Sequence, residues 1–145
     1  MDSAADPFDL NRFVDAQEPV YGDVIAELRA GRKRSHWMWF VFPQLRGLGG
    51  SAMAARFGIA SLDEAEAYLR HELLGPRLRE CSRLVAAVQG RSIGQILGSP
   101  DDLKLRSSMT LFARATEDNQ DFIAVLDKYY GGDQDRLTLD RLTKF

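Results

Sequence analysis

The sequence predicts an all-α fold, a single compact domain over residues 1–145 built from roughly six to eight short helices. Three observations carry this. Apolar residues recur at helical spacing in segment after segment. Serine, proline and glycine stand where such segments begin and end. Sustained alternation between hairpin turns, the mark of a sheet, is missing. A chain of 145 residues is one ordinary domain, able to bury roughly 68–70% of its extended surface.

Leu10, Phe13 and Val14 mark a short first helix. Tyr21, Val24, Ile25 and Leu28 then share one face of a second, with Pro19 in its first turn and Gly31 closing it in a left-handed conformation. "HWMWFVF" is apolar nearly all round; among amphipathic helices it reads as a central buried helix, which Pro43 stops at or before Phe42. "SLDEAEAYLRH" opens with a capping box of Ser61 and Glu64, and Leu62, Ala65 and Leu69 follow on one face. Gly75-Pro76 breaks the pattern and restarts it. Leu78, Cys81, Leu84, Val85 and Val88 form the next stripe, ended by Gly90, with Cys81 as a small buried hydrophobe. Ser99-Pro100-Asp101-Asp102 is a strong helix start, and that helix runs to about Thr116, burying Leu105, Met109 and Phe112. Phe122, Val125, Leu126, Tyr129 and Tyr130 define another, ended by Gly131-Gly132. The tail "DRLTLDRLTKF" is read as a short helix, although it alternates like a strand as readily.

Composition narrows the class. A hydrophobic fraction of 45% and a charged fraction of 28% describe a packed globular chain. No apolar run reaches the length of a membrane span. The acidic start "MDSAADPFDL" lacks a secretory signal's basic and apolar regions. One cysteine, Cys81, excludes an internal disulfide. The expectation is a cytoplasmic protein. A net charge of −2 and a pI near 5.7 argue against a dedicated nucleic-acid binder.

The stretch "SHWMWFVFPQLRGLGGS", Ser35 to Ser51, is the densest source of candidate site residues. Its plainest reading is an aromatic core of Trp37, Trp39, Phe40 and Phe42. Ser35, His36 and Gln44 flank those rings, and each needs a partner if buried. His36 could act as a general base or hold a ligand's polar edge while Trp37 or Trp39 stacks on its flat face. Gly49, Gly50 and Ser51 could present free amides to an anion at a helix start, with charge from Arg46 and Arg56. The plainer alternative is a loop with Ser51 as an ordinary N-cap; neither phosphate-loop glycine pattern is present. Lys104 precedes Ser108 by one helical turn, a spacing open to a lysine-activated hydroxyl and equally to an exposed lysine beside a packing serine. Ser107, Ser108 and Thr110 offer hydroxyls to a ligand or to the preceding turn. His36, His71 and Cys81 are not spaced as metal ligands, so no metal and no cofactor are expected. Arg32-Lys33-Arg34 reads as a solvated corner.

Beginning at Ser35–Ser51, the chain resembles the bacterial domain-of-unknown-function family numbered 1810. The likeness continues through "EAEAYLRHELLGPRL", "DDLKLRSSMTLF" and "YYGGDQDRLT" and so covers nearly the whole sequence. Phe57 stands where the family has tyrosine and Glu72 where it has proline; without the hydroxyl, position 57 offers a ligand no polar group. The resemblance implies a mainly helical fold and no established activity. A "calpastatin" label attached to some members does not suit this chain, because inhibitors of that type are disordered and this composition packs.

Two functional expectations follow. The first is an enzyme or binder for a small anionic, nucleotide-like ligand, with His36, Lys104 and Ser108 as candidate catalytic groups. Ser35, Trp37, Trp39, Gln44, Gly49, Gly50, Ser51, Arg56, Ser107 and Thr110 would then be ligand contacts. The helical order resembles small helical glycosidases acting on ADP-ribose-like metabolites, a likeness of fold without a matched motif. The second is a homodimeric interaction module docking through Tyr129, Tyr130 and the tail. One cavity lined by His36, Ser51 and Lys104 together would favour the first.

Overall fold

The computed structural model describes residues 6–143. Ten helices form among them, and no strand. The four longest are α2 (Tyr21–Ala30), α6 (Leu74–Ala87), α8 (Asp101–Arg114) and α9 (Gln120–Tyr130). Around them lie α1 (Asn11–Gln17), α3 (Met38–Val41), α4 (Ala52–Phe57), α5 (Leu62–Arg70), α7 (Ile93–Leu97) and α10 (Arg136–Leu142). The count exceeds the expected six to eight because α4 and α7 are short helices of six and five residues. Runs that short carry too little periodicity to stand out in a sequence.

α8 is the central element. It packs against α5, α7, α9 and α10, while α6 packs against α2, α5 and α9. From Leu105 to Ala113 only Arg106 of α8 escapes full burial, a pattern possible only for a helix covered on nearly all sides. Leu78, Cys81 and Val85 of α6 share one core with Phe122, Val125 and Leu126 of α9. Burial pushes the Cys81 thiol up to about 12, so the side chain is an inert hydrophobe.

Several local signals act as read. Gly31 closes α2 with φ 72°, and the Ser61 hydroxyl accepts from the Glu64 amide at 3.2 Å. Pro43 ends α3 at Val41. Others are corrected. Pro100, not Ser99, occupies the N-cap of α8. "HWMWFVF" supplies one four-residue turn rather than a longer buried helix. After it the chain runs extended, and Leu45 makes an isolated parallel bridge to Ile59. The Arg46 amide donates to the Ile59 carbonyl at 2.7 Å and the Ile59 amide to the Gln44 carbonyl at 2.9 Å. These bonds hold the 44–50 loop against the body of the domain. The tail is helical over Arg136–Leu142, its last two residues lying outside the described ones, and Thr110 of α8 anchors it by accepting from the Asp135 amide at 2.8 Å.

α5 and α6 meet at a crossing that only glycine permits. A Cβ on Gly75 would lie 2.1 Å from the Leu69 carbonyl oxygen. The Gly75-Pro76 pair therefore belongs to the first turn of α6.

Candidate functional site

The aromatic stretch divides into a core half and a groove half. In the core half, Trp37 is 1% exposed. Its indole Nε1 donates to Glu27 Oε1 at 2.9 Å. The same oxygen accepts from the Arg34 amide at 2.7 Å and the Ser35 amide at 3.0 Å, while the Ser35 hydroxyl donates to Oε2 at 2.6 Å. Glu27 thus gathers the chain returning from the Gly31 turn. Ser35 and Trp37, two expected ligand contacts, spend their polar atoms on it. Sequence reasoning passed over Glu27; the signal available was that a buried indole N–H needs an acceptor.

Burial opposes the charge on Glu27, but the bonds from Ser35, Arg34 and Trp37 outweigh it and hold the carboxyl at about 2, against 4.5 ordinarily. A carboxyl lowered on folding stabilises fully above its ordinary value and loses that contribution as pH falls from about 4.5 toward 2. With solvent reaching one side of the group, the contribution is about 2 kcal/mol. Urea midpoints measured through this window should fall, and Glu27→Gln should flatten that part of the profile.

The basic corner is only partly solvated. Arg32 and Arg34 are exposed, but the Lys33 side chain is 9% exposed. Lys33 Nζ lies 3.0 Å from Asp101 Oδ2 and 5.3 Å from the Trp37 ring centre. It ties the corner to the start of α8.

The groove half lies between the 44–50 loop, the first two turns of α8 and the start of α10. It encloses about 320 Å³. Gln44 and Gly49 line one side, Lys104, Arg106 and Ser107 another, and Asp135 a third. A small recess of about 10 Å³ adjoins it, with Trp39, Phe42 and Phe57 among its walls. Gln44 and Lys104 line both spaces and so form the neck between them. Lys104 Nζ sits 5.2 Å from the Trp39 ring centre and 3.7 Å from Asp101 Oδ1, the latter beyond hydrogen-bond reach.

The structure therefore brings Trp39, Gln44, Gly49, Lys104 and Ser107 together, and it leaves the other candidates elsewhere. His36 is exposed and lines neither space. The Ser51 hydroxyl caps α4 by accepting from the Ala54 amide at 3.0 Å, and Gly50 is exposed beside it. Arg56 is exposed, with its guanidinium 4.9 Å from the Phe57 ring centre. Thr110 donates to the Arg106 carbonyl at 2.8 Å as well as anchoring Asp135. Ser108 is fully buried, with no hydrogen-bond partner among the described residues. The helix turns Ser107, not Ser108, toward the groove. The test posed by the sequence has a split outcome: Lys104 lines a cavity, and His36 and Ser51 do not join it.

Arg106 and Asp135 are the charged groove residues that sequence reasoning missed, and Leu48, Pro100, Leu103 and Leu137 complete the lining. Arg106 donates to the carbonyls of Asp133 and Gln134 at 3.0 and 3.2 Å. Asp135 caps α10, accepting from the Thr138 amide and hydroxyl at 3.0 and 2.6 Å. Both act chiefly to hold the α10 wall in place.

A wider hollow of about 860 Å³ lies beside Asp6, Arg70 and His71, but two of its polar groups are already engaged. Asp6 accepts from the Leu10 and Asn11 amides at 2.7 and 3.0 Å. His71 Nδ1 accepts from the Leu73 and Leu74 amides at 3.1 and 3.2 Å and so helps start α6. Among the described residues no three His, Cys, Asp or Glu side chains converge as a metal site, and no helix is long and apolar enough to cross a membrane.

The fold and groove define a class, a compact all-helical domain with a mixed polar and apolar groove against its central helix. The chain belongs to the DUF1810 family, described as a protein of unknown function, whose model matches residues 7–142. It is similar to the crystal structure of the conserved hypothetical protein Rv1873 from Mycobacterium tuberculosis, with 71% sequence identity and a TM-score of 0.94. That likeness covers 95% of this chain and 99% of the other. No curated protein matches the sequence.

Proposed function

We propose that this is a cytoplasmic protein whose groove binds, or acts on, a small anionic ligand, nucleotides and phosphorylated metabolites being the first class to test. One observation carries the reading. Lys104 Nζ and the Gln44 carboxamide line the same neck, and neither makes a hydrogen bond to any described residue, Lys104 being ion-paired with Asp101 only at 3.7 Å. An ammonium held over an indole face with open donors favours an anion, and a carboxamide opposite supplies one donor and one acceptor for orientation. The groove's volume of about 320 Å³ suits a small molecule. Chemistry at Lys104 would proceed without Ser108, which is buried away from the groove.

Thermal unfolding against a panel of nucleotides, ADP-ribose, NAD and sugar phosphates tests this. A compound present at a hundredfold excess over its Kd should stabilise by about 2.7 kcal/mol, a shift of several degrees. That shift should vanish in Lys104→Ala and shrink in Gln44→Ala, while His36→Ala and Ser51→Ala keep it. A panel without any shift would count against the reading.

A homodimeric module is the second reading, with the tail rather than the tyrosines as the apolar part of its face. The Tyr129 hydroxyl donates to the Val85 carbonyl at 2.6 Å and that of Tyr130 to the Asp102 carbonyl, so both rings are packed down. Leu103 and Leu137, 60% and 64% exposed, are the apolar side chains available to a partner.

A further inference from the structure

Resting on that reading of the groove as a ligand site, we propose that its ligand is an amphipathic organic anion: one anionic head at the Gln44–Lys104 neck and an apolar acyl or aryl body in the outer groove. The neck fixes the head. Beyond it the recess offers about 10 Å³, no more than one water molecule needs, among Trp39, Phe42 and Phe57. A ligand entering from outside stops there, with its charge beside Lys104.

The outer groove fixes the body. Outside the neck, its charged side chains hold the α10 wall: Arg106 donates to the Asp133 and Gln134 carbonyls, and Asp135 Oδ2 accepts from Thr138. The Ser107 hydroxyl points back toward the Leu103 carbonyl at 3.5 Å. A polyhydroxylated body would find few partners for its oxygens. Leu48, Leu103 and Leu137 line the same space. Leu103 from α8 and Leu137 from α10 are the large hydrophobic side chains left exposed among the described residues, and both converge on this groove. Covering them with an apolar body removes that exposure; a sugar would not.

Calorimetric titration of the full chain with straight-chain carboxylates from butyrate to decanoate, beside inorganic phosphate and AMP, decides the matter. Affinity should rise roughly two- to fourfold per methylene until the groove is filled. Leu103→Ser with Leu137→Ser should flatten that dependence. Both positions are solvent-exposed, so circular dichroism and melting of the pair should match the parent. Lys104→Gln should weaken every member about tenfold and keep the slope. AMP or phosphate binding through Lys104 with a flat carboxylate series would overturn the amphipathic assignment and leave the anion site standing. A slope unchanged in the leucine pair would overturn it by moving the body elsewhere. No binding by any probe would overturn both readings.

Discussion

Arg12→Ala should be the most damaging single change that leaves the groove untouched, lowering stability by about 3–5 kcal/mol and Tm by roughly 10 °C or more. Arg12 is a junction rather than a surface charge. Its Nε donates to the Arg56 carbonyl at 2.8 Å, and Nη1 to the Phe8 and Asp9 carbonyls at 2.7 and 2.8 Å. Nη2 reaches the Gly58 carbonyl at 3.0 Å and Glu64 Oε2 at 2.8 Å, and the guanidinium lies 4.3 Å from the Phe13 ring centre. The Glu64 side chain is 3% exposed, and its other oxygen accepts from the Ala60 amide at 2.9 Å. Truncating Arg12 strands that carboxylate and takes a side-chain donor from four carbonyls, of which Asp9 keeps the Arg12 amide and Gly58 keeps Arg46. Arg12→Met with Glu64→Leu should recover only part of the loss, because the Phe8 and Arg56 carbonyls lose their donor and the Ala60 amide its acceptor. Denaturant unfolding of the three variants measures this, and a loss under 1 kcal/mol for Arg12→Ala would contradict it.

The second large effect is expected at Trp37. Trp37→Ala should cost about 3–5 kcal/mol, as deletion of a fully buried aromatic does. Trp37→Phe keeps most of the volume, including the contact to Phe42 at 6.2 Å between ring centres, but removes the donor to Glu27. It should cost about 1–2 kcal/mol and move the acid loss of stability to higher pH. The two substitutions separate core from site. A ligand platform would lose binding with little stability; a core residue loses stability first. A Trp37→Ala protein as stable as its parent would return this side chain to the list of ligand contacts.

The helices were legible where a stripe was long and its ends were marked. The α2 stripe with Gly31 and the α9 stripe with Gly131 act as their spacing implies, both glycines taking left-handed φ of 72° and 62°. α7 was not, since five residues make scarcely one turn, and α3 is shorter than the helix its aromatic run implies. Capping was legible in part. The Ser61 hydroxyl bonds as expected, but Glu64 reaches the amide of Ala60 rather than that of Ser61, because Arg12 pulls its other oxygen across from α1. Such a pairing spans fifty-two positions, and no local pattern announces it.

The site was half legible for a similar reason. Spacing rightly put Lys104 and Ser108 one turn apart, but which of Ser107 and Ser108 meets the groove depends on what covers α8. The Gly49-Gly50-Ser51 run was read as one unit; in space Gly49 faces the groove while the Ser51 hydroxyl is consumed as a cap. Ser35 needs a partner on its sequence alone, yet that partner, Glu27, which also takes the Trp37 indole, sits on the preceding helix beyond a turn. Chemistry-bearing residue types can be listed from a sequence; their free valences are decided by neighbours distant along it.

The central claim is that Gln44 and Lys104 guard a ligand groove, and backbone amide shifts followed during titration with octanoate and with AMP test it most directly. The account predicts saturable changes clustered at Gln44, Gly49, Lys104 and Ser107, with His36 and Ser51 unmoved. Changes confined to His36 and Ser51, or none that saturate with either compound, would contradict it.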